Sequence, residues 1–200
     1  MKSLNKKINK CRISNDDKLF KIFDFGKINL TGVFPNSLNT KIEETPLSVV
    51  FSKKSKLLQL QHNYDPNKLF GNNYGYRSGL NNSMVYHLKN KYLTIMKKYK
   101  LKKDDKILDI GSNDGTFLNF FSNQDFRVGC DPSSKKFKKY YNKNIKTIDK
   151  IFDDKIRKQL KNKFKFISSI AMFYDLENPI KFCKNIEKIL ETDGIFHVEI

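Results

Sequence analysis

The spacing of apolar positions changes twice along the chain and predicts three parts. Up to about residue 70, apolar runs of three to six residues are broken by Gly, Pro and Asn, which is typical of short strands in a small β-rich module. Residues 78–99 carry apolar side chains at helical spacing and predict an amphipathic helix. From residue 104, strand-like and helix-like segments alternate. We therefore expect a module over 1–72, a linker with a helix over 73–103, and a second domain over 104–200.

The alternating part predicts an α/β domain. The predicted strands are 106–110, 127–131, 146–149, 164–170 and 195–200, and the predicted helices are about 115–123, 134–142, 152–161 and 179–191. Apolar strands separated by helices indicate right-handed crossovers and a parallel sheet covered on both faces. The expected fold is a doubly wound, mostly parallel Rossmann-like sheet of about five strands. Because its last segment would leave a long apolar edge, we expect the sequence to be a fragment.

The segment "DIGSNDG", residues 109–115, lies where such a sheet binds its ligand. In an open parallel sheet the site is beyond the carboxyl ends of the strands, beside the first strand. Gly111 and Gly115 allow the main chain to pass close to a ligand. A dinucleotide fingerprint requires Gly-x-Gly-x-x-Gly, but Asn113 stands at its middle glycine and the last glycine comes one residue early. The turn therefore disfavours a pyrophosphate.

The charges around this turn favour a cationic ligand. Asp109 and Asp114 flank the turn and would repel two phosphates at close range. S-adenosylmethionine (SAM) has a sulfonium, an ammonium and a carboxylate but no phosphate. Its carboxylate suits the N–H groups of the turn, with Asp109 on the ammonium side. Asp131, after the second strand, is an expected acceptor for the ribose hydroxyls, as also in folds that bind NAD.

The full set of predicted cofactor ligands extends over four strand ends. Asp149 and Phe152, after the third strand, are candidates for the edge and the face of the adenine. The predicted cofactor-binding residues are Asp109, Gly111, Ser112, Asn113, Asp114, Gly115, Asp131, Asp149, Phe152 and Ser168. A structural alternative remains open, since strand–glycine–helix turns occur in many α/β proteins and an Asp before a Pro can simply cap a helix.

Charge and composition limit the classes of binding partner and the cellular location that we expect. The formal net charge is +18, but only four of the 39 basic residues are arginine. Because phosphate and base recognition favours the guanidinium, the lysines are interpreted as solvated surface and a nucleic-acid partner is disfavoured. Three cysteines without regular spacing fit a reducing compartment. With no apolar run of eighteen residues and no leader-like start, we expect no membrane association and a cytoplasmic location.

Several segments, in order and spacing, resemble SAM-dependent C-methyltransferases that act on nucleotide-linked sugars. These are "KILDIGSNDGTFL", "VGCDPS", "ISSIAMFYDLENP" and "ILETDGIFHVEI". Upstream, "GVFP", "SKKSKLLQL" and "NNYGYRSGLNNSM" resemble that family's amino-terminal zinc-binding module and linker. The resemblance implies SAM as the cofactor, a nucleotide-linked keto-sugar as the substrate, and methyl transfer to carbon.

The chain departs from that family in two ways. At the positions that match two Cys-x-x-Cys pairs stand Cys11, Ser14, Ser52 and Ser55, so one thiol remains of four. Since serine is a poor zinc ligand at neutral pH, we predict that the module binds no structural zinc and is held by apolar contacts alone. The family's His-Glu-His segment, which is thought to supply the base, would fall after residue 200.

Catalytic candidates within the chain are aromatic. Tyr174, after the fourth strand, is expected to reach the transferring methyl, and Tyr76, in the linker, is expected to contact the cofactor or the sugar. Packing roles are the simpler interpretation of both. The histidines at 62, 87 and 197 show no acid partner at a readable spacing and are interpreted as structural or solvent-facing. The alternatives are a SAM-dependent RNA methyltransferase, for which "YGYRSG" with basic flanks is the best feature, and a non-catalytic relative.

Overall fold

The computed structural model describes residues 5–32, 34–35, 37–71 and 73–200. Parts of the segments quoted above, at residues 1–4, Val33, Asn36 and Asn72, lie outside these ranges. The chain forms two compact units, one of Met1–Gly75 with Glu177–Lys181 and the other of Tyr76–Leu176 with Phe182–Ile200. Within the described ranges, every helix is too short or too polar to span a lipid bilayer.

The first unit is a small antiparallel β module. Its described elements are β1 (Asn5–Lys7), β2 (Leu19–Asn29), β3 (Glu44–Ser52), β4 (Leu57–Leu60), β5 (His62–Tyr64) and a short helix α1 (Pro66–Phe70). Strands β2, β3 and β4 form a three-stranded sheet in that order, and β1 pairs with β5. The β-rich character predicted from the short apolar runs is confirmed.

The second unit contains a five-stranded parallel sheet. It opens with a 3-10 turn at Ser78–Leu80 and helix α2 (Asn82–Tyr99). The strands are β6 (Ile107–Ile110), β7 (Arg127–Cys130), β8 (Ile145–Ile148), β9 (Phe164–Ile170) and β10 (Leu190–Glu199), and their order across the sheet is β10-β9-β6-β7-β8. All four pairings are parallel. The predicted doubly wound α/β fold is therefore confirmed.

The helices between these strands are shorter than predicted. They are α3 (Thr116–Phe120), α4 (Asp154–Gln159) and α5 (Pro179–Ile189). The predicted helix at 134–142 is wrong, because the chain follows consecutive turns there and only Lys138–Tyr140 is 3-10 helical. At the start of the segment, Asp131 accepts from the N–H and the hydroxyl of Ser133 (2.7 and 2.5 Å), as a helix-capping residue does. Further along, the buried Tyr141 donates to the Asn113 carbonyl (2.7 Å), and such tertiary contacts override helix propensity.

The two faces of the sheet bury two apolar clusters, because successive side chains of a strand point in opposite directions. On β6, Leu108 and Ile110 face one cluster, which is covered by α4 and α5, whereas Ile107 faces the other, which is covered by α2 and α3. The second cluster includes Phe121 and Phe166, whose ring centroids lie 5.6 Å apart. A sheet covered on both faces leaves only its strand ends open to a ligand.

The fold predicts a large cost for emptying the second cluster. Phe166 is fully buried on the interior strand β9. Phe166→Ala should therefore lower the free energy of unfolding of this unit by about 3–5 kcal/mol in a urea titration. The matched control is Tyr86→Ala on α2, where 68% of the side chain is exposed and the expected change is within about 0.5 kcal/mol. Equal effects of the two substitutions would contradict this packing.

Candidate functional site

The strand order places a switch point between β6 and β9. The chain builds β6, β7 and β8 outward in one direction, then returns through α4 to place β9 on the other side of β6. A hydrogen bond crosses this point, because the Ser168 hydroxyl on β9 donates to the Asp109 carboxylate on β6 at 2.7 Å. Ligands of open parallel sheets bind beyond the carboxyl ends of the strands at such a point.

Two buried carboxylates lie at this edge. Asp109 is 3% exposed on β6, and Asp131 is 9% exposed immediately after β7. Burial raises the pKa of Asp109 to about 7, with Asp131 adding to the rise and the hydrogen bond from Ser168 opposing it. Burial likewise raises the pKa of Asp131, against hydrogen bonds from Ser133 and the Asn113 N–H. Both groups are therefore costly to ionise in the free protein.

The two carboxylates have no cationic partner in the described part of the chain. No lysine, arginine or histidine nitrogen there lies within 4.0 Å of a carboxylate oxygen of Asp109 or Asp131. Buried charges in proteins are normally paired, since an isolated one costs several kcal/mol. This edge therefore has the electrostatic character of a site for a cation.

The turn at 111–115 has backbone angles that glycine adopts without strain. Gly111 and Gly115 have φ values of +80° and +78°. A Cβ on Gly115 would lie 2.5 Å from the ring of Tyr141, so the close packing of that ring needs glycine there. Tyr141 in turn donates its hydroxyl hydrogen to the Asn113 carbonyl (2.7 Å) and lies 2.8 Å from the Ser112 hydroxyl. The turn is thus fixed from beneath by one buried phenol.

The polar side chains of the turn hold the linker segment 76–79. The side-chain oxygen of Asn113 accepts from the Ser78 N–H (2.9 Å), and its amide donates to the Tyr76 carbonyl (3.1 Å). Asp114, which is 1% exposed, accepts from the Gly79 N–H at 2.9 Å. In this structure both side chains therefore serve the shape of the site, and their predicted contact with a cofactor remains a prediction.

Arg77 extends the same attachment. One guanidinium nitrogen lies 3.6 Å from the Asp114 carboxylate, and the guanidinium carbon lies 3.8 Å from the centre of the Tyr140 ring. This arrangement combines an ion pair with a cation–π contact. No pattern in the sequence indicates that "YGYRSG" and "SNDG" contact each other, since the bonded residues are 35 positions apart.

The remaining predicted ligands lie near the end of β8. Asp149 is exposed and directly follows the strand. Phe152 is buried in the apolar cluster beneath the sheet, with its ring centroid 5.5 Å from that of Phe182. Their assignment to the edge and face of an adenine remains a prediction.

The two catalytic candidates are both accessible. Tyr174 lies in a 3-10 turn at Phe173–Asp175 after β9, and more than half of its surface is exposed. Burial raises its pKa, and the electrostatic effects of Asp175 and Tyr76 raise it further. A shared catalytic role for Tyr174 and Tyr76 remains a prediction.

His87 is exposed, as predicted, but it has an acid partner that its spacing in the sequence did not reveal. Its Nε2 lies 2.6 Å from the carboxylate of Glu199 at the end of β10, and Lys91, one turn further along α2, also pairs with that carboxylate. Sequence reasoning missed Glu199 because its partners are more than a hundred residues away along the chain. The periodicity of α2 did offer one signal, since His87 and Lys91 are four residues apart and share a face.

Family comparisons agree with this architecture. A family model described as a methyltransferase domain matches residues 84–200, which is more than half of the chain. A second model, of a domain described as zinc binding, matches residues 11–70. The C-methyltransferase NovU of Streptomyces niveus is 24% identical over 206 residues, an alignment that covers 100% of this chain and 49% of NovU. The chain therefore spans about half the length of this curated relative.

Solved methyltransferase structures are similar to part of this chain at low identity. The plantazolicin methyltransferase BamL, in complex with a triazolic desmethylPZN analog and SAH, has a TM-score of 0.48 and 18% identity, over 57% of this chain and 46% of BamL. Precorrin-6y C5,15-methyltransferase from Geobacter metallireducens GS-15 has a TM-score of 0.41 and 14% identity, over 57% of this chain and 60% of that enzyme.

The support beneath the turn is testable with an isosteric change. Tyr141→Phe removes the hydroxyl and leaves the buried Asn113 carbonyl and Ser112 hydroxyl without that partner, so we expect a loss of about 1–3 kcal/mol in unfolding free energy. Tyr140→Phe, at the neighbouring and more exposed ring, is the control and should change stability by less than about 0.5 kcal/mol. Indistinguishable urea midpoints would show that the phenol does not support the turn.

Proposed function

The chain belongs to the methyltransferase domain family, and on that premise we propose that its second unit binds SAM and transfers the methyl group to a carbon atom of a small molecule. The observation that carries the proposal is the pair of buried carboxylates, Asp109 and Asp131, at the switch point of the sheet, with no cationic side chain paired to them among the residues that the structure describes. SAM brings positive charge to that edge and no phosphate.

The residues at this edge fit the cofactor by their chemistry. Asp109 would accept from the ammonium, and Asp131, which keeps lone pairs beyond those used by Ser133 and Asn113, would accept from the ribose hydroxyls. Gly111 has no Cβ, and an added one would lie 3.1 Å from Met172. When bound, the cofactor supplies a methyl group on a positively charged sulfur. The chain's own contribution is to place that group and to exclude water.

A nucleotide-linked keto-sugar is the substrate class we propose. Transfer to carbon is supported by the similarity to the C-methyltransferase NovU over the whole of this chain, and the sugar by the resemblance of segments such as "ISSIAMFYDLENP" to the C-methyltransferases that act on nucleotide-linked sugars. In such a substrate, a base removes the acidic proton beside the carbonyl, and the carbon then attacks the methyl group in line with the bond to sulfur. Tyr174, which follows the carboxyl end of β9, and Tyr76 of the linker would hold the substrate oxygens by their phenol groups.

The linker argues against the RNA alternative. Arg77 is the linker residue best suited to contact a phosphate backbone. The Arg77 guanidinium, however, pairs with the Asp114 carboxylate and lies over the Tyr140 ring. A side chain engaged in this way does not offer a free guanidinium to nucleic acid. If RNA were nevertheless the substrate, its binding would weaken steeply as salt is added, whereas cofactor binding would not.

Titration calorimetry with S-adenosylhomocysteine tests the cofactor site. We expect saturable heat for the parent chain and an affinity about 10- to 100-fold weaker for Asp131→Asn, because a neutral amide replaces a charged acceptor. Asp125→Asn, at an exposed acid of the same unit, is the control and should bind like the parent. The proposal fails if the parent gives no heat, or if Asp131→Asn binds unchanged.

The raised pKa of Asp109 predicts the pH dependence of binding. At pH values below about 7 the folded protein keeps this carboxyl protonated, so an ammonium must first displace the proton. The dissociation constant should therefore fall by up to about tenfold per pH unit from 5.5 to 7 and level off above 8. In Asp109→Asn the slope should disappear. A flat profile in the parent would place the ammonium elsewhere.

The same group predicts how stability changes with pH in the absence of ligand. The folded-state pKa of Asp109, about 7, is above its ordinary value of 3.8. Its contribution to the free energy of unfolding is thus fully present below about pH 4 and is lost as the pH rises to about 7. Urea midpoints of the parent minus those of Asp109→Asn, measured across this window, should decline with pH. A constant difference would contradict the assignment.

A further inference from the structure

The first unit keeps the backbone of two metal-binding turns without their ligands. In the turn at 11–14, the Ser14 N–H points at the Cys11 sulfur (3.5 Å), and in the turn at 52–55, the Ser55 N–H points at the Ser52 hydroxyl at the same distance. Each turn is followed by a residue in the left-handed region, Asn15 at φ 57° and Lys56 at φ 59°. The two turns thus repeat one geometry.

The side chains of these turns do not fit a zinc ion. Ligands that share a tetrahedral zinc at about 2.0–2.3 Å lie roughly 3.3–3.8 Å from each other. The Cys11 sulfur and the Ser55 hydroxyl are only 3.0 Å apart and are directly hydrogen-bonded. Three of the four positions are neutral hydroxyls. In the described part of the chain, no group of three or more His, Cys, Asp or Glu side chains is arranged to hold a metal.

Other hydrogen bonds join the same two parts of the chain. The Arg12 guanidinium donates to the Leu60 carbonyl (2.7 Å) and to the Asn63 side chain. The Arg12 N–H donates to the Gln59 side chain (3.0 Å), whose amide returns a bond to the Lys10 carbonyl (3.3 Å). These contacts join residues that are 47 to 51 positions apart in the sequence, and Cys11 and Ser55 of the two turns are 44 positions apart. They therefore close the same loop that a shared metal would close.

We propose that this hydrogen-bonded clamp, formed by Cys11–Ser55 and by Arg12 with Gln59, Leu60 and Asn63, replaces a structural zinc ion in residues 11–70. The module folds without metal, and its turns still have the backbone geometry to bind one if the cysteines are restored. This proposal also corrects the expectation that the module is held by apolar contacts alone. It does not depend on the cofactor proposed for the second unit.

Metal content and chelation test the parent chain directly. The full chain, purified with zinc present and then dialysed, should contain well under one zinc per molecule by elemental analysis, and EDTA should not shift its melting temperature. Cobalt(II) should give no thiolate-to-metal absorption band. One tightly bound zinc per chain, with a lower melting temperature after chelation, would overturn the proposal whatever the variants do.

Restoring the cysteines tests the retained geometry. The variant Ser14→Cys/Ser52→Cys/Ser55→Cys should bind about one zinc, show the absorption of a tetrahedral cobalt–thiolate centre, and become sensitive to EDTA. A variant that keeps the circular dichroism of the parent but binds no metal would show that the four positions do not converge. If the variant fails to fold even with zinc, the turns are not compatible with metal, and this part of the proposal is wrong.

Arg12 is the test of the clamp itself. In Arg12→Ala, amide hydrogen exchange of the peptides that cover residues 8–14 should become at least about tenfold faster, because hydrogen bonds to a charged group are lost. The control is Lys10→Ala, which removes a neighbouring exposed charge and keeps the Lys10 carbonyl in place. Zinc added to the restored-cysteine variant should suppress the effect of Arg12→Ala. Equal exchange in Arg12→Ala and Lys10→Ala would refute the clamp.

Discussion

The carboxylates of Asp109 and Asp131 are buried at the strand ends of the second unit, and no described lysine, arginine or histidine pairs with them. This uncompensated pair is the constraint that explains the site. Burial of Asp109 and Asp131 raises both pKa values, which costs stability at neutral pH. The chain has 39 basic residues, so a shortage of lysine does not explain the lack of a partner in the described structure. A site that forgoes available ion pairs is better explained by a ligand that brings the positive charge.

The turn above these carboxylates is rigid for a separate reason. Its Asn113 and Asp114 side chains are used to hold segment 76–79, while Tyr141 holds its main chain from the opposite side. The polar side chains of "SNDG" therefore determine the conformation of the turn. The negative charge that a ligand would contact comes from Asp109 and Asp131 at the ends of β6 and β7. The same attachment holds Tyr76 beside the turn, because the Asn113 side-chain amide donates to its carbonyl.

The sequence was most informative for the parallel strands. All five could be predicted, four of them to within one residue at each end, because each is a short run rich in apolar residues between helix-like segments. Strand β10 begins five residues earlier than predicted. The turns after Asp131 could not be predicted, since the helix-forming lysines of that segment do not reveal the tertiary contact of Tyr141 with the Asn113 carbonyl. The pairs Arg77–Asp114 and His87–Glu199 were also out of reach, because no periodicity links residues so far apart before the topology is known.

In the first unit, a few hydrogen bonds take the place that a structural metal ion would have in a small module. Among its described residues, the buried apolar side chains are Cys11, Leu30 and Val50, whereas Phe20, Ile22, Phe23 and Phe25 of β2 are all substantially exposed. A structural zinc contributes about 10–16 kcal/mol in small finger peptides, but a hydrogen bond contributes only about 1 kcal/mol net. Four or five hydrogen bonds therefore recover a minor part of what a metal supplies. Such a clamp can preserve the path of the chain, but it leaves this unit less stable than a metal-bound form of the same turns would be.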